Sequence, residues 1–236
     1  TQRNVLLKTL SEKGGDPSQL EYWDELLVEK GSRLILTRVA AIADLERIAA
    51  RIHDHLTDSK EILRLNYKPS YDPLDNPEGQ YALRLDTPLH RSGIGLDEIR
   101  QGFSKRLRSL YREEINRGVT TIGPHRDELR ILENGIDLGN YGSRGQTRTA
   151  LLSLKLAEVQ WLKQKTGYWP VLLLDEFLAE LDALRRKHLL DYLQECKQAF
   201  LTTTDLRFFD DEFIHNNTIW MVENGQVKLT GRSGQG

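Results

Sequence analysis

Two groups of residues in this chain have the types and spacing to handle a phosphate. The first is Tyr141-Gly142-Ser143-Arg144-Gly145-Gln146, a short polar turn that opens a helical pattern. A serine hydroxyl and free backbone N–H groups at a helix start form an anion site, and the helix dipole favours negative charge there. Gly145, lacking a Cβ, lets the backbone approach a phosphate closely. One helix later the apolar run Val171-Leu172-Leu173-Leu174 ends in Asp175-Glu176, followed by Leu178-Ala179-Glu180-Leu181-Asp182. A buried strand holds such carboxylates at the carboxyl edge of a parallel sheet, where open α/β folds bind ligands. Asp175 would then serve the water shell of Mg²⁺, which takes hard oxygen ligands. Glu176 would polarise the water that attacks a γ-phosphate. Alone, each piece has a plain reading as well, a glycine-bearing turn and an acidic strand end. Order and spacing together favour the nucleotide site.

The remaining sequence must position these groups. Residues 1–17 read as a helix remnant and a loop, and Ser18 as the N-cap of a helix containing Leu20, Tyr22, Trp23, Leu26 and Leu27. From Arg33 to Leu56 the apolar residues Ile35, Val39, Ile42, Leu45, Ala49, Ile52 and Leu56 recur at intervals of three and four, a heptad-like stripe on a long helix. Glu61 to Tyr67 alternates like a strand, Pro69 to Pro77 is a loop, and Tyr81 to Leu85 fits a short strand or a helix start. Leu96 to Ile115 marks an amphipathic helix ending near Gly118. Its other face carries Arg100, Lys105, Arg106, Arg108, Arg112 and Arg117, readable as a solvated surface or a DNA-contacting face.

At Gly118 short strands replace long helices, which places a domain boundary there. Val119 to Ile122 reads as a buried strand and Gly123-Pro124-His125-Arg126-Asp127 as a loop. Asn134-Gly135 and Asn224-Gly225 each sit between apolar runs and signal hairpins. A helix from the Tyr141 to Gln146 turn to about Lys165 ends at Gly167; Ala183 to Glu195 is another helix and Ala199 to Thr203 another buried strand. The expected organisation is a mainly helical arm over residues 1–117, an α/β head over 118–230, and a disordered Gly- and Ser-rich tail over 231–236.

Composition excludes little. With 236 residues, 39% apolar and 29% charged, the chain is ordinary for a globular protein, and its net charge of −2 leaves any nucleic-acid contact to local patches. No apolar run is long enough to span a bilayer and no signal peptide opens the chain. The single Cys196 rules out an internal disulfide framework and fits a reducing, cytoplasmic setting. The chain begins at Thr1, its one methionine is Met221, and Gly-x-x-x-x-Gly-Lys-Ser/Thr occurs nowhere in it. It therefore reads as a fragment or a processed piece of a longer protein.

Signature, Asp175-Glu176 and the acidic turn to Asp182, in this order, resemble the SMC-like branch of ABC-type ATPases. Gly123-Pro124-His125-Arg126-Asp127, Tyr141 to Gln146 and Thr202-Thr203-Thr204-Asp205 narrow the resemblance to the RecF family of bacterial recombination mediators. The resemblance implies an ATPase head and a helical arm, ATP and Mg²⁺ as ligands, and dimerisation on ATP. It also implies binding to gapped or junction DNA, and RecO and RecR as partners in loading RecA. It makes Ser143, Arg144, Gly145 and Gln146 a signature facing the nucleotide of the opposite subunit, Asp175 the Walker B ligand of Mg²⁺ and Glu176 the catalytic base. Asp182 would be the D-loop contact, and Thr203, Thr204 and Asp205 the switch, where many ABC ATPases have a histidine. Arg106, Arg108, Arg112, Arg185, Arg186 and Lys187 are candidates for DNA contact. The family carries a Gly-x-x-x-x-Gly-Lys-Ser/Thr loop near its amino terminus, so the resemblance makes this chain the carboxyl-terminal part of a longer protein without the main phosphate grip, expected not to hydrolyse ATP alone. The competing readings are another SMC-like repair ATPase head such as a RecN-like one, which would carry a longer coiled coil, an ABC transporter nucleotide domain, and a DNA-binding scaffold that has lost hydrolysis.

Overall fold

The structure is a computed structural model and describes residues 2–72 and 93–231. The segment Tyr81 to Leu85 and most of the expected tail lie outside these residues. The chain divides into two compact units, one reaching from the amino terminus to Lys165 and one from Thr166 onward. Gly118, where the sequence changes character, falls inside the first unit.

The first unit is built on one helix. After α1 (Gln2–Lys13) and a short 3-10 turn at Pro17–Leu20, helix α2 runs unbroken from Glu21 to Leu56. The two helical patterns read from the sequence are thus one element. Ser18 is not its cap: Asp16 caps the 3-10 turn by accepting the Ser18 N–H at 2.9 Å, and Pro17 supplies a fixed φ at its start. Gly31, mid-helix, is there for packing. A Cβ on it would meet the Phe103 ring at 2.9 Å and the Pro124 ring at 3.3 Å. Phe103 belongs to α3 (Leu96–Ser109), which buries Ile99, Phe103 and Leu107 against Ile35, Tyr71 and Ile122.

The expected single helix from Leu96 to Ile115 is two. The turn at Leu110 separates α3 from α4 (Tyr111–Arg117), and Gly118 closes α4 in the left-handed region at φ 62°. Val119 to Ile122, expected as a strand, forms none. Its polar groups are taken elsewhere: the Thr120 N–H donates to Asn4 Oδ1 and the Thr121 N–H to Glu114 Oε1, so no sheet ladder is needed.

Strands β1 (Leu63–Lys68), β2 (Glu128–Glu133) and β3 (Ile136–Asp137) form an antiparallel sheet in that order, with Leu63 opposite Glu133. Asn134 and Gly135 turn β2 into β3 with φ of 50° and 83°, the paired positive values of a tight hairpin. Asp127, from the Gly123 to Asp127 loop, ties sheet to helix. It accepts from Arg38 Nη1 at 2.9 Å, the Tyr67 hydroxyl at 2.5 Å and the Ser70 N–H at 2.9 Å. After α5 (Leu138–Tyr141) comes the long α6 (Arg144–Thr166), whose Ala150 and Ala157 pack with Ile48 and Ala49 of α2 and Leu63 of β1.

The second unit begins with the parallel pair β4 (Leu172–Leu174) and β5 (Ala199–Leu201), joined through a 3-10 turn at Phe177–Glu180 and α7 (Ala183–Gln194). Among its described residues Leu172, Leu174, Leu178, Leu181, Leu189, Leu190 and Leu193 are buried. Helix α8 (Asp211–Asn216) leads to the hairpin β6 (Ile219–Glu223) and β7 (Gln226–Gly231), turned by Asn224 and Gly225 at positive φ. No helix among the described residues is long and apolar enough to cross a membrane.

Candidate nucleotide site

In the first unit the signature forms a capping box at the start of α6. The Gln146 N–H donates to Ser143 Oγ at 3.2 Å, and the Ser143 N–H donates to Gln146 Oε1 at 3.0 Å. Ser-x-x-Gln is the sequence form of this motif, so the geometry follows from local chemistry. Gln146 is held a second time, its Nε2 donating to Glu133 Oε1 at 2.6 Å. Gly142 is needed for packing: a Cβ there would lie 2.6 Å from the Leu138 carbonyl oxygen and 2.9 Å from Thr147 Oγ1. At Gly145 a Cβ would meet nothing within 4 Å. The backbone at Gly145 is therefore open on its outer side, while Ser143 and Arg144 are exposed beside it.

In the second unit Asp175 and Glu176 leave the carboxyl end of β4 exposed to solvent. Thr202, just past β5, joins them: its hydroxyl donates to Asp175 Oδ1 at 2.5 Å and accepts the Glu176 N–H at 2.9 Å. Glu176 sits at φ 49°, ψ 18°, a left-handed conformation that a non-glycine residue adopts with strain of about 1 kcal/mol. The strand therefore delivers Asp175 along its own direction, and the left-handed turn sends Glu176 off at an angle to it. Thr202 did not stand out in the sequence, where the neighbouring Thr203, Thr204 and Asp205 drew the reading. Thr203 and Asp205 instead bond to each other, the Asp205 N–H donating to Thr203 Oγ1 at 3.1 Å. Asp205 also caps the turn at Leu206–Phe208, accepting the Arg207 N–H. Side-chain bonds from Arg207 hold its carboxyl below the usual aspartate range. Thr204 lies in the same loop.

Asp182 is the N-cap of α7. It accepts the Arg185 N–H at 2.9 Å and Arg185 Nη1 at 3.0 Å, and the backbone bond above all lowers its pKa below the ordinary 3.8. Asp182→Ala is expected to destabilise the second unit by about 1 kcal/mol, and Asp182→Asn by less, since asparagine also caps. A depressed folded pKa gives stability that is present above the unfolded pKa and lost as pH falls through the folded one. The gap between wild type and Asp182→Ala in urea melts should therefore be full at neutral pH and shrink below about pH 4.

The basic candidates separate. Arg106, Arg108 and Arg112 are exposed on α3 and α4, and Lys187 is exposed on α7. Arg185 pairs with Asp182, whereas Arg186 donates to the Leu181 carbonyl and lies 4.2 Å over the Phe208 ring. Arg186 is thus engaged in holding the turn before α7 to the Phe208 segment.

No family model matches the chain. Curated relatives do. The chain is 41% identical over 231 residues to the DNA replication and repair protein RecF of Halothermothrix orenii, covering 96% of this chain and 56% of that protein. With its namesake from Acetivibrio thermocellus the identity is 40% over 229 residues, covering 96% and 57%, and with that of Bacillus subtilis 39% over 228 residues, again 96% and 57%. A solved structure of the recombination mediator protein RecF with ATP, in the RecFOR pathway, superposes with a TM-score of 0.75 at 30% identity, covering 97% of this chain and 55% of that one. The resemblance read from the sequence is borne out along nearly the whole chain, and so is the α/β fold of an ABC-type ATPase. The chain spans a little more than half the length of the relatives it matches.

Proposed function

Proceeding from this homology to RecF, we propose that the chain supplies the signature and the Walker B acids of a RecF-type, ATP-dependent recombination mediator. The observation that carries the reading is the acid pair at the end of β4. Asp175 and Glu176 are exposed, joined by Thr202 just past the adjacent strand, and set at an angle to each other by the left-handed turn. Asp175 serves Mg²⁺ and Glu176 activates water, at the γ-phosphate of ATP bound by their own subunit. Ser143 to Gln146 face the nucleotide of a second subunit, so ATP binding and dimerisation are one event. The exposed Arg106, Arg108 and Arg112 of the first unit are candidates for contact with gapped or junction DNA, as is, separately, Lys187 of the second, with RecO and RecR as partners in loading RecA. The setting is the cytoplasm. The grip on the α- and β-phosphates comes from a Gly-x-x-x-x-Gly-Lys-Ser/Thr loop that these residues do not contain, so the chain alone does not turn over ATP.

Gly145→Glu tests the signature's role. The position has room for a side chain, and a carboxylate in the first turn of α6 suits the helix dipole, so folding stability is expected to hold or rise slightly. The same carboxylate repels a γ-phosphate arriving at that turn. In a RecF protein completed with a Walker A-bearing half, ATP-driven dimerisation measured by sedimentation should weaken at least about tenfold, with ATP binding to the single subunit retained. Unchanged dimerisation would remove the signature from the shared site.

A further inference from the structure

Beneath the signature three side chains converge, of which the candidate nucleotide site uses only one oxygen, Glu133 Oε1, to hold Gln146. His53 ends α2, Glu61 precedes β1 and Glu133 ends β2. His53 and Glu133 are buried, at 0% and 1% exposure, and Glu61 is half-buried at the rim. His53 Nε2 lies 3.2 Å from Glu133 Oε2 and 3.6 Å from Glu61 Oε2, and one ligand atom from each residue fits within 4.8 Å of the others. Glu133 Oε2 makes no hydrogen bond although its carboxylate is buried.

We propose that His53 Nε2, Glu61 Oε2 and Glu133 Oε2 are three ligands of a divalent transition-metal ion of the zinc type. Bonds of about 2.1 Å in a tetrahedron set the ligand atoms about 3.4 Å apart, a value that lies between the two observed separations from the imidazole. The proton on the other ring nitrogen supports the assignment. Ser153 Oγ spends its hydrogen on the Thr149 carbonyl at 2.8 Å, so it accepts at 3.0 Å from His53 Nδ1, which must carry the proton. In the neutral ring Nε2 then presents a lone pair to the two carboxylates, the tautomer of a metal-bound histidine whose outer N–H is held by a neighbour. Charge agrees. A protonated imidazole between two carboxylates leaves one surplus negative charge in a buried site, whereas a divalent ion with a neutral imidazole brings the sum to zero.

The supporting shell is rigid. Ile62 and Asn134 exchange two hydrogen bonds at 2.9 Å, which fixes Glu61 beside Glu133, and Glu133 Oε1 accepts Gln146 Nε2 at 2.6 Å. The half-buried Glu61 leaves a path for the ion and a place for a water as fourth ligand. The site rests on this geometry and not on the role of the signature, although Gln146 would link the two.

The test uses the full chain with Cys196→Ser, so that the thiol does not compete, after chelation and dialysis. Zn²⁺ is titrated by calorimetry and Co²⁺ by visible absorption. The site predicts one equivalent per chain, the intense visible bands of tetrahedral Co²⁺, and a rise in Tm of about 5–10 °C at a hundredfold excess of Zn²⁺ over Kd. Glu61→Gln, at the rim and gentle to the fold, and Glu133→Gln, which keeps the buried volume, should each weaken binding at least about tenfold. Stoichiometric uptake lost in both variants supports the site. No stoichiometric uptake, or uptake unchanged by either substitution, overturns it and leaves an imidazolium between the carboxylates.

Discussion

Arg3→Met is expected to lower the stability of the first unit by about 3–5 kcal/mol, the typical effect of removing one partner from a buried charge network. The Arg3 guanidinium is 5% exposed and makes three bonds of 2.7 Å: Nε to Asp24 Oδ1, Nη1 to Thr120 Oγ1 and Nη2 to Glu114 Oε2. Glu114 has no exposure, and its other oxygen accepts the Thr121 N–H and hydroxyl. Asp24 also accepts the Tyr111 hydroxyl, and burial followed by this carboxylate pushes the phenol pKa up. A methionine fills the volume but leaves two buried carboxylates with no cation between them. The network gathers α1, α2, α4 and the Thr120 segment, so its loss is felt by the whole end of the unit. Urea melts followed by fluorescence, with Trp23 and Trp161 as reporters in this unit, check the size of the effect. A triple variant that also carries Asp24→Asn and Glu114→Gln should recover more than half of the loss, because the charges are then gone together. A loss below about 1 kcal/mol for Arg3→Met would mean that the network is hydrated and not closed.

That network was not legible in the sequence, and the reason is physical. Arg3, Asp24 and Glu114 are far apart along the chain, and a lone charged residue in a helical pattern reads as solvated. Local features fared better. Asn134-Gly135 and Asn224-Gly225 name their own turns, since few other pairs accept two successive positive φ values. The strand ending in Asp175 and the helix closed by Gly167 follow from apolar runs and breakers. Where the reading failed, a distant residue had decided the outcome. Gly31 does not break α2 because Phe103 and Pro124 occupy the space its missing side chain leaves. Val119 to Ile122 is no strand because Asn4 and Glu114 take its N–H groups. The candidate sites show the same division. The acids and signature turn are contiguous and could be read, whereas Thr202 matters through a contact across 26 or 27 positions, and His53 meets Glu133 only once the sheet is folded on α2.

Glu176→Gln is the substitution expected to have the largest effect on chemistry. In a RecF protein completed with a Walker A-bearing half, steady-state ATP hydrolysis should fall by about 10²–10⁴, the usual contribution of a positioned general base. The change is clean for a structural reason. Glu176 is exposed and held through its backbone, its N–H donating to Thr202 Oγ1, so glutamine keeps the left-handed turn, its strain and its hydrogen bond. Only the proposed proton acceptor is lost. Under the proposed roles, Mg²⁺ and ATP binding, assigned to Asp175 and a phosphate loop, should survive, and an ATP-bound dimer should persist longer because hydrolysis no longer ends it. Thr202→Val distinguishes positioning from chemistry. It removes the hydroxyl that joins Asp175 to the Glu176 backbone, so it should weaken Mg²⁺-dependent ATP binding as well as turnover. A Glu176→Gln protein that hydrolyses ATP at the wild-type rate would show that water is activated by another group, and would take Glu176 out of the site.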